Sequence, residues 1–226
     1  MNRTITFFSY MLLLACSIVS GVRAASCDTS CRTSVATCLS ACNKKICKFY
    51  LRSNAFTNGN PLPVQYSSLA SNVTGGAFSG ATNGGSPNPE LYWAGAPKGT
   101  KTYALIVDDL TPLETVGTVV VHWVVVNLPA CDAQGNCINE LPAGVDIASL
   151  GGQVLFQTSG TATYRPPAAN SPGIHFYRFT LFALDTTVDA SQLVQPINID
   201  QFYLAMQSHI IGVASTTAGF SSSAMI

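Results

Sequence analysis

Three histidines are the only imidazoles in this 226-residue chain, and each lies in or beside an apolar segment. His122 interrupts Val119-Val120-Val121 and Trp123-Val124-Val125-Val126. His175 opens a second run, Ile174 to Leu184, and His209 follows Ala205-Met206. An imidazole buried among valines costs free energy unless hydrogen-bond partners meet its ring nitrogens. Taken alone, either strand histidine reads as a structural residue satisfied in the core. A carboxylate shifts that balance: Asp108 ends a third run, Lys101-Thr102-Tyr103-Ala104-Leu105-Ile106-Val107. It sits where a strand meets a loop, a common place for binding residues. Two imidazoles and one acid suit a small anion such as a phosphate ester. The histidines donate, and the carboxylate orients one of them or receives an ammonium partner. His209 reads as a helix-packing or capping residue.

Other chemistries lack their signatures. There is no Gly-x-Ser-x-Gly elbow, no His-x-x-x-His or His-Glu-x-x-His pair, no dinucleotide fingerprint and no P-loop. The expectation is therefore a non-catalytic protein with no cofactor and no metal. Lys+Arg and Asp+Glu both number 11, so the chain is neither basic enough for a nucleic-acid footprint nor acidic enough for a solvating tail.

The first 25 residues have a basic start at Arg3, an apolar middle from Ile5 to Val19, and a small-residue end at Val22-Arg23-Ala24. That pattern predicts a secretory signal peptide over 1–24, cleaved after Ala24, and a secreted or periplasmic protein. The apolar run is shorter than the ~20 residues of a spanning helix. Leu13-Leu14-Ala15-Cys16 also resembles a bacterial lipoprotein cleavage site, which would leave a lipidated Cys16. The cysteine count, eight, fits an oxidising compartment. Loss of Cys16 with the signal leaves an odd number, hence a free thiol, an intermolecular bridge or a different cleavage point.

The elements that must position the histidines begin after a Cys-rich extension, residues 25–48. There Cys27, Cys31, Cys38 and Cys42 form two C-x-x-x-C pairs, one helical turn each, and are disulfide candidates on one helix or two. Residues 49–226 carry all-β punctuation, with Gly, Pro, Asn and Ser clusters between short apolar runs. Strands are predicted over Lys101–Asp108, Thr118–Leu128, Gln153–Gln157 and Ile174–Leu184. In the last of these His175, Tyr177, Phe179, Leu181 and Ala183 share one face. A short helix is predicted over Phe202–Met206, with Asp200 as cap. Cys131 and Cys137 flank a turn sequence and should bridge it. Asn72-Val73-Thr74 is a glycosylation sequon, used only in a eukaryotic host.

In these residues the chain resembles the phosphatidylethanolamine-binding protein (PEBP) family, especially its bacterial-type, Raf-kinase-inhibitor-like branch. His122-Trp123-Val124-Val125-Val126-Asn127-Leu128-Pro129 matches an H-W-x-x-x-N-x-P strand. Gly173-Ile174-His175-Phe176-Tyr177 resembles G-x-H-R-Y, and Ala183-Leu184-Asp185 follows as A-L-D. Leu51-x-Ser53-x-Ala55-Phe56, Ser86-Pro87 with Leu91 and Trp93, Pro97-Lys98-Gly99-Thr100-Lys101, and Ala205-Met206 with His209 fall in the family's order. The resemblance implies a mainly β, antiparallel β-sandwich with a few short peripheral helices and an anion pocket at one end of the sheets. It implies binding of phosphate esters or phospholipid headgroups. Alternatively, it implies a protease or kinase inhibitor that meets a protein target through surface loops. Asp108, His122, His175 and Tyr177 fall on pocket positions. Pro112 ends the D-P-D-A-P turn, and Pro166 and Pro167 resemble the proline-rich wall. The chain departs from the pattern at Asp108-Asp109-Leu110-Thr111-Pro112, where Leu110 replaces the second acid unless the register slips. Phe176 replaces an arginine, and three valines replace aromatics before His122.

Overall fold

The computed structural model describes residues 48–70, 86–112, 117–168, 173–193, 196–197 and 199–221. The signal peptide, Cys16, the five cysteines of the extension (Cys27, Cys31, Cys38, Cys42 and Cys47) and Asn72 lie outside these residues. The chain forms strands β1 (Tyr50–Arg52), β2 (Leu91–Ala94), β3 (Thr102–Asp109), β4 (Val120–Pro129), β5 (Glu140–Leu141), β6 (Gln153–Val154), β7 (His175–Leu184) and β8 (Ile210–Phe220). Helix α1 (Ile199–Met206) precedes β8. One sheet has the order β1-β2-β5 and the other β6-β4-β3-β7-β8, with every pair antiparallel. This is the expected mainly β sandwich.

Why the longest runs are apolar on every residue follows from layering. The inner face of the five-stranded sheet packs Tyr103, Leu105, Val107, Trp123, Val125, Phe179 and Leu181 against Leu51, Leu91 and Trp93 of the small sheet. Its outer face is covered as well, with Ala104, Ile106, Val124, Val126 and Phe182 packing with Phe202 and Met206 of α1. All eight residues of β3, the central strand, are buried, so it shows no polar alternation.

Several boundaries differ from expectation for identifiable reasons. The strand predicted over Gln153–Gln157 ends at Val154 because the chain turns, Gln157 N–H bonding to Thr161 O at 3.0 Å. Helix α1 starts at Ile199, so Asp200 lies in its first turn rather than at its cap. Strand β8, eleven residues long, has too many Gly, Ala, Ser and Thr residues to announce itself, yet Ala214, Thr216, Ala218 and Phe220 face inward. The Cys131–Cys137 disulfide closes its turn as expected. Inside it the Asp132 carboxylate accepts from the N–H groups of Gln134 and Asn136 at 2.9 and 2.8 Å.

Candidate binding site

His122 reaches the sandwich interior through a break in alternation. Val107 pairs with Trp123 and Asp108 with Val121, so His122 has no counterpart across the β3–β4 ladder. Such a bulge puts two consecutive residues on one face and re-aims a side chain. Trp123 therefore stays in the inner core while His122 also turns inward, its ring 5.0 Å from that of Tyr177 at 88°. A second irregularity, between Tyr103/Leu105 and Leu128/Val125, contains Asn127, the one non-glycine with positive φ (57°) among the described residues. Its carboxamide accepts from Val188 N–H at 2.7 Å and donates to Val188 O at 2.8 Å.

The loop after β6 fixes the His122 ring. Arg165 N–H donates to the His122 carbonyl at 2.8 Å, and His122 Nδ1 lies 2.9 Å from the Arg165 carbonyl. A carbonyl only accepts, so Nδ1 carries the proton and the neutral ring presents Nε2 as an acceptor. Burial is the main reason that its pKa falls to about 4; the bond to Arg165 O opposes this and the nearby Arg165 guanidinium reinforces it.

His175 is held the same way by a different partner. Its Nδ1 lies 2.6 Å from Asp109 Oδ2, both side chains buried. Asp109 Oδ1 accepts from Thr111 N–H at 3.0 Å, and the Thr111 hydroxyl accepts from Phe176 N–H at 3.2 Å. The carboxylate is thus fixed at both oxygens before it orients the ring. Tyr177, 1% exposed, stacks on His175 at 6.4 Å and meets His122 edge-on.

The structure brings His122, His175 and Tyr177 together, with Asp109 as their acid. Asp108 lies on the opposite face of the sheet. It receives Arg178 Nε at 3.0 Å and Nη2 at 2.6 Å, a two-point ion pair. Burial raises the Asp108 pKa, and the Arg178 hydrogen bond only partly offsets that rise. The reason is strand parity: Tyr103, Leu105, Val107 and Asp109 face inward, and Ala104, Ile106 and Asp108 outward. Both faces are apolar up to that point, so only the one-residue register slip could have pointed to Asp109. Arg165 carried no signal beyond preceding Pro166. Pro112 is half-buried in the turn after β3. Pro166 is half-buried and Pro167 buried, its carbonyl accepting from Ser68 N–H at 2.9 Å. His209 lies apart, its Nδ1 2.9 Å from Asp185 on the surface.

Known proteins give the same architecture. A sequence model described as phosphatidylethanolamine-binding protein matches residues 52–221. The UPF0098 protein of Methanothermobacter thermautotrophicus is 33% identical over 165 residues, 73% of this chain and 93% of that protein. LppC of Mycobacterium tuberculosis, named a lipoprotein, is 33% identical over 59% of this chain and 54% of its own. Among solved structures, a PEBP homolog from Chlamydia trachomatis, CT736, superposes with a TM-score of 0.61 at 25% identity, covering 77% of this chain and 98% of its own. Escherichia coli YbcL gives 0.55 at 23% over the same shares, which speaks to fold alone. The chain belongs to the phosphatidylethanolamine-binding protein family.

Proposed function

We propose that this protein is an exported, non-catalytic binding protein whose imidazole pair takes the phosphoryl group of a phosphate ester or phospholipid headgroup. The observation that carries the reading is that two buried imidazoles, each anchored through Nδ1, contact one tyrosine ring. His122 Nε2 meets no partner among the described residues, and as a neutral acceptor it suits a phosphoryl group that still carries a proton. No serine, threonine or cysteine side chain bonds the His122 ring among the described residues, which supports binding over nucleophilic catalysis there. Export is supported by the signal-like N-terminus, by the Cys131–Cys137 disulfide and by the lipoprotein name of LppC. Among the described residues no helix is long and apolar enough to cross a membrane.

The test is calorimetric titration with phosphorylethanolamine and inorganic phosphate. Wild type should bind at least one of them, and His122→Ala and His175→Ala should each weaken it about tenfold or more. Binding of neither ligand by wild type, or undiminished binding by both variants, would sink the assignment.

A further inference from the structure

A cavity of about 330 Å³ is lined by none of the side chains of the histidine cluster. It is lined by Asn88, Trp123, Asp146, Ile147, Thr163 and Tyr164, among others. Its volume is at the low end for small-molecule sites.

Two well-buried polar side chains on this wall have unused hydrogen-bonding capacity. Asn88 is 4% exposed. Its carboxamide nitrogen donates to Pro89 O at 2.9 Å and Pro142 O at 3.1 Å. Both neighbours are acceptors, so the amide cannot be flipped, and the oxygen is left without a donor among the described residues. Trp123 is 2% exposed, and its indole N–H has no acceptor among them either. Buried indole N–H groups usually find a partner. Among the described residues the sealed polar atoms without partners are Trp93 Nε1, Thr180 Oγ1 and Gln201 Oε1. Both residues line this cavity, and neither Trp123 Nε1 nor Asn88 Oδ1 has a hydrogen-bond partner among the described residues.

The lining also selects by charge. No lysine, arginine or histidine contributes to it. Its one carboxylate is Asp146, whose side chain caps the turn at Ala148 N–H at 3.1 Å, and burial raises the Tyr164 pKa so that the phenol stays neutral. An anion would meet a lone carboxylate and no compensating cation. We infer that this cavity is a binding site for an uncharged, hydroxyl-bearing ring of monosaccharide size, distinct from the phosphoryl site. Such a ring donates to Asn88 Oδ1, accepts from Trp123 Nε1, and lays C–H surface against Ile147.

Because the chain has two tryptophans, proton–nitrogen spectra carry two indole signals, and Trp123→Phe assigns them. Titration of wild type with D-glucose and N-acetyl-D-glucosamine should move the Trp123 signal and leave Trp93 in place, with a Kd on the order of 1 mM. Ala162→Phe, which fills the cavity from a half-buried lining position, should abolish that movement while the remaining spectrum stays dispersed. No movement of the Trp123 signal with either sugar, or equal movement in Ala162→Phe, overturns the inference. Failure of phosphate binding leaves this readout untouched, so the two sites stand or fall separately.

Discussion

Asp108 and Asp109 are consecutive on β3, and both are buried, at 0% and 3% exposure. Each meets a cationic or titratable side chain of β7. Asp108 lies opposite Arg178 in the register and closes on it at two points, so its negative charge is cancelled by a permanent cation. Asp109 reaches diagonally to His175, an imidazole rather than a permanent cation. The outward pair ties β3 to β7. The inward pair orients a ring beside a second imidazole. Residue type and place in the chain do not separate the two acids; the face of the strand does.

The comparison predicts that outward-face changes cost stability and inward-face changes cost binding. The largest effect should come from Arg178→Met, which leaves Asp108 buried without its cation. Urea unfolding should show a loss of about 3–5 kcal/mol, while phosphate affinity measured on the folded variant changes less than about twofold. Equal losses in both measurements would erase the distinction.

The next effect concerns acid. His122 has its pKa lowered from 6.5 to about 4 in the fold. As pH falls through that window the unfolded chain takes up a proton that the folded chain refuses. Its contribution is therefore full above pH 6.5 and lost towards pH 4. Wild type should lose up to about 3 kcal/mol more than His122→Gln between pH 7.5 and 4, the subtraction removing the carboxylates, Asp108 included. Parallel pH curves for the two proteins would contradict the buried neutral ring.

The smallest effect should be Asp109→Asn. The carboxamide keeps the shape and an acceptor but removes the charge that orients His175. Phosphorylethanolamine should bind about tenfold more weakly, with stability lowered by only about 1 kcal/mol. A Kd unchanged within error would return Asp109 to a structural role.

Much of this was legible in the sequence. The histidines in apolar runs, the motif order and the turn between Cys131 and Cys137 were enough to anticipate the sandwich and to pair His122 with His175. The face of each residue was less legible, because β3 and β4 are apolar on both sides and alternation carries no signal there. Asp109 was hidden by that uniformity, and Arg165 because its contribution is mainly a backbone carbonyl. Strand β8 was hidden by small residues whose strand character comes from pairing with β7 rather than from their own preference.

The unpaired place of His122 has a consequence for how this chain tolerates changes in length. Deleting most residues of a strand displaces every neighbour to the wrong face. Deleting His122 would not, because Trp123 already faces Val107 and Val121 already faces Asp108. The ladder would close over the gap, and the loop carrying Arg165 would lose both of its links to residue 122. A His122 deletion should melt close to wild type yet bind no phosphate; a melting point lowered as far as that of a Val124 deletion would count against it. The imidazole therefore sits at one of two places in β4, the other being at Asn127, where a single lost codon leaves every neighbour on its own face of the sheet.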